Sequence, residues 1–240
     1  MTKTTTLTEN NHHSQVKITS GVVPWMTKIA YGLADKLIFP WFFHSINITG
    51  TENVPKTGAV IIAPTHRSRW DALVVPYATG RITSGRDPHF MVSANEMKGV
   101  QGWFIRRFGG FPVNTQRPGL ESLRHSADLL SQENMVVIFP EGNIYRTEEV
   151  KPLKRGIAKI ALEVEKDHPQ MEIKILPVSI KYDQEIPQRG SSVSIKIGSC
   201  LTVKDYQTGS DRENSIVLTK DLQKSLQEVH GQNSIESNND

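Results

Sequence analysis

Residues 59–79 read AVIIAPTHRSRWDALVVPYAT. The run from Ala59 to Pro64 is apolar without alternation, the pattern of a strand covered on both faces. It stops at a proline, crosses a short polar turn, and can re-enter regular structure as a helix opened by Asp71 and Ala72. A buried strand feeding a helix is the unit from which parallel sheets are assembled. Working outward, SINITG (45–50) reads as a short strand and ENVPKTG (52–58) as a turn. PHFMVSANE (88–96) reads as another short strand, and WFIRRFG (103–109) runs through a Gly-Gly break into FPVN. Leu120, Leu123, Ala127 and Leu130 recur at helical spacing over 120–132, and MVVIFPEGN (135–143) is a second buried-type strand running into a Pro-Glu-Gly turn. A helix over 155–167, a strand over 171–180, an alternating strand over 191–199 and an amphipathic helix over 212–230 complete the pattern. The expectation is one α/β domain over residues 46–230, a single mixed, largely parallel sheet flanked by helices. In such sheets the functional loops lie beyond the carboxyl ends of strands, and two of those ends carry unusual chemistry: Thr65-His66 and Pro140-Glu141-Gly142.

The ends of the chain differ from its middle. Residues 1–22 form a polar leader without the apolar run of a signal peptide, and 231–240 a frayed tail. Residues 23–45 are an aromatic, helical segment. VPWMTKIAYGLADKLIFPWFFH (23–44) gathers tryptophans and phenylalanines around Lys28 and Lys36, and Pro40 should end or kink a helix there. Two readings fit it: an element lying at the headgroup level of a membrane, or aromatics packed on the domain core. No stretch reaches the roughly 20 apolar residues of a membrane span, and the mean hydropathy is −0.37.

With 240 residues, 37% hydrophobic and 22% charged, the chain is the size of an ordinary globular enzyme. Its one cysteine, Cys200, rules out an internal disulfide and a cysteine zinc cluster. The net charge of +3 is unevenly spread. Residues 66–117 carry eight Lys and Arg against three Asp and Glu, whereas 205–240 carry three against seven. That distribution suits an anionic ligand near the middle of the chain, or scattered arginines on a solvated face. The acidic tail argues against nucleic acid. The histidines are dispersed without metal-ligand spacing, so no metal is expected; His125 reads as a surface residue.

His66 and Asp71 stand five positions apart in the turn after the buried strand. A turn of that length can return the carboxylate to the imidazole. An Asp71 that accepts from one ring nitrogen fixes the tautomer and leaves the other as a base, the base-and-orienter half of a triad. No Gly-x-Ser-x-Gly elbow supplies a serine nucleophile, and Ser68 reads as a turn hydroxyl.

The neighbouring residues add a resemblance. Thr65-His66-Arg67-Ser68-Arg69-Trp70-Asp71 and Phe139-Pro140-Glu141-Gly142 look like the His-x4-Asp and Phe-Pro-Glu-Gly blocks of the glycerolipid acyltransferases, of the lysophosphatidate acyltransferase type. Gly109-Gly110-Phe111-Pro112-Val113-Asn114 is similar to the block between them, Leu176-Pro177-Val178-Ser179-Ile180 to the block that follows, and Lys154-Arg155-Gly156 to a common feature of that family. The resemblance implies direct acyl transfer to a 1-acyl-glycerol-3-phosphate, giving phosphatidate. The residue matching the block histidine, His66, would deprotonate the acceptor hydroxyl, Asp71 would orient it, and the hydroxyl would attack the thioester of acyl-CoA or an acyl carrier protein. No cofactor besides the acyl donor is implied. Glu141 and Gly142 match the acceptor-binding block. Glu141 would orient a hydroxyl or a neighbouring arginine, and Gly142 would let the ligand approach the backbone. The implied setting is peripheral or monotopic, on the cytoplasmic face of a membrane.

Two departures bear on the headgroup. The family arginine after Glu-Gly-Thr is absent, Arg146 being the next, and that of the second block is replaced by Thr115, with Arg117 next. A shift of two along an extended segment keeps the same face, about 7 Å away, so Arg117 and Arg146 are candidate phosphate ligands. Lys154 is another, and Arg106 and Arg107 read either as a phosphate clamp or as a basic-aromatic membrane contact. Another lysophospholipid or a lysoglycolipid is the alternative acceptor. A non-catalytic membrane-surface protein is the alternative from a different class.

Overall fold

The computed structural model describes residues 21–113 and 120–233. The chain enters through a helix, α1 (Pro24–Leu33), continues through one wide turn (Ala34–Ile38) into α2 (Phe39–Phe42), and runs directly into β1 (Phe43–Thr49). Then follow β2 (Val60–Pro64), α3 (Asp71–Thr79), α4 (Arg81–Ser84), β3 (His89–Ser93), α5 (Gly99–Arg107) and β4 (Gly110–Val113). The second half holds α6 (Leu120–Ser131), β5 (Met135–Val137), α7 (Gly156–Asp167), β6 (Lys174–Tyr182), β7 (Ser191–Ile197), β8 (Leu201–Thr202) and α8 (Asp211–Gln232).

The sheet order is β1-β7-β6-β2-β5-β3-β4, with β8 on the outer end of β6. From β6 to β4 every neighbouring pair is parallel, and β7 and the short β8 both run against β6. The mixed, largely parallel α/β sheet expected from the sequence is therefore the observed fold. The alternation within β2 divides the core. Ala59, Ile61 and Ala63 face a layer made by α6, α7 and α8, whereas Val60 and Ile62 face α3 and the aromatic entry segment. Both faces are covered, which explains why β2 reads as unbroken hydrophobicity.

Departures from the sequence expectation fall where pairing changes. The strand expected from Met135 up to the Pro-Glu-Gly turn ends at Val137, where its pairing with β3, at His89–Val136 and Phe90–Val137, also ends; a single further bond, Ile138 N to Ile62 O at 3.0 Å, precedes the turn. The strand expected to stop at residue 180 runs on to Tyr182, supported by β7. Pro40 does not end the helix: the wide turn closed by Phe39 N on Ala34 O precedes it, and Pro40 falls in the first turn of α2, where its missing N–H costs little. Residues 21 and 22, expected in the leader, pair with the end of α5 (Val22 with Phe108, Gly21 N with Arg106 O). His125, expected at the surface, is half-buried with its ring edge-on to Phe111 at 4.8 Å.

The entry helix is pinned to α3. The Tyr31 hydroxyl donates to Pro76 O at 3.1 Å and accepts from Arg81 N at 3.3 Å. A Cβ at Gly80 would stand 2.1 Å from that oxygen, so only glycine permits the approach. Among the described residues no helix is long and apolar enough to cross a membrane.

Candidate active site

The chain leaves β2 toward β3 across one face of the sheet and leaves β5 toward β6 across the other. The loops after these two adjacent strands diverge at the carboxyl edge, the position where open parallel sheets form a crevice. His66 and Glu141 sit on those loops.

His66 Nδ1 lies 2.9 Å from Asp71 Oδ2, with Asp71 fully buried and the ring one-fifth exposed. The carboxylate fixes the Nδ1–H tautomer and leaves Nε2 facing outward. The loop is wound around Asp71: its Oδ2 also accepts from Arg67 N at 2.6 Å and Ser68 N at 2.9 Å. These are backbone donors of the turn that precedes α3, satisfied by the first residue of the helix. Asp71 Oδ1 takes the hydroxyl of Tyr182 at 2.8 Å. Burial, and then the carboxylate beside it, push the Tyr182 phenol well above its usual range, so it remains a donor. Phe139 stacks on the imidazole, centroids 3.9 Å apart. Ser68 Oγ accepts from Trp70 N at 3.3 Å, closing the turn.

Glu141 ties the two loops together. Its Oε1 accepts from His66 N at 3.1 Å and from Arg67 Nη1 at 2.8 Å, and its Oε2 from Lys151 N at 2.9 Å. Carboxylate and guanidinium are both buried. Arg67 Nη1 also donates to His66 O at 3.1 Å, Nη2 donates to Glu149 O at 3.2 Å, and Tyr145 N donates to His66 O at 2.8 Å. The backbone of His66 is thereby held from both sides by the loop that carries Glu141. Gly142 has φ +80°, and a Cβ there would lie 2.5 Å from Lys154 Cε and Nζ. The glycine makes room for the lysine's ammonium end.

A cavity of about 600 Å³ opens from this edge. His66, Phe139, Gly142 and Lys154 are at one part of its wall, and Leu73, Tyr77, Phe90, Ile105, Ile138 and Ile160 are among the side chains that make the rest apolar. It is lined by residues from both faces of the sheet, among them Phe90 of β3, which pairs with β5. Residues of α1, including Ala30, Tyr31 and Ala34, supply another wall.

The candidate residues separate into groups. His66, Asp71, Glu141, Gly142 and Lys154 come together. Arg146 is exposed on the loop beyond Gly142 and does not line the cavity. Arg106 turns back on its own helix toward Gly102 O (3.3 Å), and Arg107 lies over the Trp103 ring at 3.6 Å; neither lines the cavity. Arg117 lies outside the described residues. Among the described residues, the cations that do line the cavity are Lys154 and Arg69, the latter paired with Glu96. Sequence reasoning passed over Arg67 and Tyr182. Arg67 stands inside the first block, and its only signal was that a neighbouring arginine suits Glu141. Tyr182 had a parity signal: it follows Val178 and Ile180 at intervals of two, on the sheet face that packs against α3. Cys200 is no rival nucleophile, since burial pushes its thiol up to about 11.

A family model described as Acyltransferase matches residues 45–181. The 1-acyl-sn-glycerol-3-phosphate acyltransferase of Bacillus subtilis (strain 168) is 26% identical over 77% of this chain and 87% of its own length. The protein of the same name from Streptococcus pneumoniae (strain ATCC BAA-255 / R6) is 23% identical over 67% of this chain and 57% of its own. Among solved structures, the 1-acyl-sn-glycerophosphate acyltransferase PlsC of Thermotoga maritima superposes with a TM-score of 0.65 at 20% identity, covering 88% of this chain and 83% of that one. That likeness is one of fold.

Proposed function

The chain belongs to the acyltransferase family, and on that premise we propose that it transfers an acyl chain from acyl-CoA or acyl carrier protein to the sn-2 hydroxyl of a 1-acyl-glycerol-3-phosphate, giving phosphatidate. The observation that carries this reading is the His66–Asp71 pair, 2.9 Å apart, at the wall of a largely apolar cavity of about 600 Å³. His66 Nε2 takes the proton of the acceptor hydroxyl as the oxygen attacks the thioester carbonyl. The C–O bond forms, the tetrahedral intermediate collapses with loss of the C–S bond, and the imidazolium returns the proton to the departing thiolate. Asp71 balances the imidazolium while it exists. Among the described residues, Lys154, at the side of Gly142, and Arg69 are the cations available to the acceptor phosphate. The apolar wall takes the acyl chain.

A bilayer beside this cavity is supported by the entry segment. Trp25, Ile29, Leu33, Leu37 and Trp41 step by four residues and are 45–64% exposed. On a helix of 3.6 residues per turn such a step drifts about 40° each time, and the wide turn at Ala34–Ile38 takes part of that drift back. Lys28 and Lys36 are exposed among them, and Arg189 lies 5.0 Å from the Trp41 ring. Val100, Trp103 and Phe104 present a second exposed apolar face on α5, with Arg107 over Trp103. Aromatics interleaved with cations are the composition of a membrane-interface element.

The test is a panel of lysolipid acceptors with acyl-CoA and acyl-carrier donors, followed by thiol release. Transfer to 1-acyl-glycerol-3-phosphate that His66→Ala abolishes is the expected result. Full transfer by His66→Ala refutes the mechanism, and preference for another lysolipid refutes the acceptor.

A further inference from the structure

We propose that Tyr182 is a positioning residue of the reaction, holding the Asp71 carboxylate in the orientation that serves His66. The inference rests on the general-base reading of His66 given above.

The two oxygens of Asp71 are unequally supported. Oδ2 is shared by His66 Nδ1, Arg67 N and Ser68 N, all within the same loop. Oδ1 receives the Tyr182 hydroxyl, which comes from outside that loop. Asp71 is fully buried, so without the phenol Oδ1 would lose the donor that comes from outside the loop, and the carboxylate would be held through Oδ2 alone. Tyr182 is well placed to prevent this. It stands on β6, four residues beyond Val178, the partner of Pro64 at the end of β2. It is held there by pairing with Val193 of β7. Its ring stacks at 6.2 Å on Phe43, which meets Trp70, the residue before Asp71, edge-on at 5.2 Å. The hydroxyl therefore ties a loop to the rigid sheet, which is how a general base is kept within a fraction of an ångström of its working geometry.

Tyr182→Phe deletes one oxygen and keeps the ring packing. Expected is a fall in kcat of about tenfold with KM for acceptor and donor within about twofold. In the Asp71→Asn background, Tyr182→Phe should cost little more, because the two act through one contact. A wild-type kcat, or a full additional loss on top of Asp71→Asn, overturns the proposal even if thermal stability falls. If Asp71→Asn itself leaves transfer intact, the general-base reading fails first, an outcome distinct from failure at Tyr182 alone.

Discussion

Glu141 offers the sharpest test of how the site is built, because its surroundings make it a clamp rather than a ligand. Its carboxylate meets three donors, His66 N, Arg67 Nη1 and Lys151 N, at 2.8–3.1 Å, and both it and Arg67 are buried. In Glu141→Gln the shape is kept but one oxygen becomes an NH2. Whichever way the amide turns, its nitrogen faces at least one donor, and the Arg67 guanidinium loses its counter-charge while remaining out of water. Breaking a buried ion pair from one side costs about 3–5 kcal/mol. At about 2–4 °C per kcal/mol for a chain of this size, the midpoint of thermal unfolding followed by circular dichroism should drop by roughly 6–20 °C. Activity should fall with it, since the His66 backbone loses the bond that fixes it to the second loop, and kcat should change more than the acceptor KM. A melting temperature within about 2 °C of wild type together with a selectively raised acceptor KM would refute the reasoning and make Glu141 a group that meets substrate directly.

Other expectations follow from the same geometry. Gly142→Ala puts a Cβ 2.5 Å from the end of Lys154 and strains a backbone at φ +80°, a cost of about 1–2 kcal/mol; initial rates should show a raised KM for the phosphate-bearing acceptor, and an unchanged KM would remove Lys154 from that role. His230 bonds to Ser179 Oγ through Nδ1 at 2.7 Å, and its titration is lowered to about 4 by burial first, then by Arg67 and Lys181. Because the folded protein resists the proton that the unfolded chain accepts, stability is full above about pH 6.5 and falls as pH drops toward 4, by about 3 kcal/mol; denaturant unfolding from pH 7 to 4 should show this slope, and His230→Gln should flatten it. Trp25→Ala with Trp41→Ala should weaken binding to anionic vesicles by tenfold or more while leaving the melting temperature unchanged, as both rings are exposed; sedimentation with liposomes measures it, and undiminished binding would move the membrane contact elsewhere.

Much of the architecture is legible because it is periodic and local. The unbroken apolarity of β2 announces a strand covered on both faces, and its passage through a polar turn into α3 announces a parallel sheet. The pairing of His66 with Asp71 is local too: the turn between them is too short to do much else, and its own amides bind the carboxylate. The length of β5 was overestimated, because strand composition continues past Val137 while pairing with β3 does not. Which cations reach the cavity is the least legible feature. A spacing argument can put Arg146 two residues from an expected position, but only the path of the loop decides that it points into solvent while Lys154, which comes later in the chain, meets Gly142.

The sequence by itself determined the class of sheet, the sheet edge at which His66 and Glu141 lie and the pairing of His66 with Asp71, all of which depend on residues within a few positions of one another. Tertiary structure alone decided what holds them. Glu141 reaches Arg67 across 74 residues and Tyr182 reaches Asp71 across 111. Such contacts depend on strand order and register, and a one-residue slip in register turns a side chain to the opposite face of the sheet. The same holds for the cavity, whose wall is assembled from residues spread between Thr27 and Ile160 by the order of the strands and not by any one strand's composition.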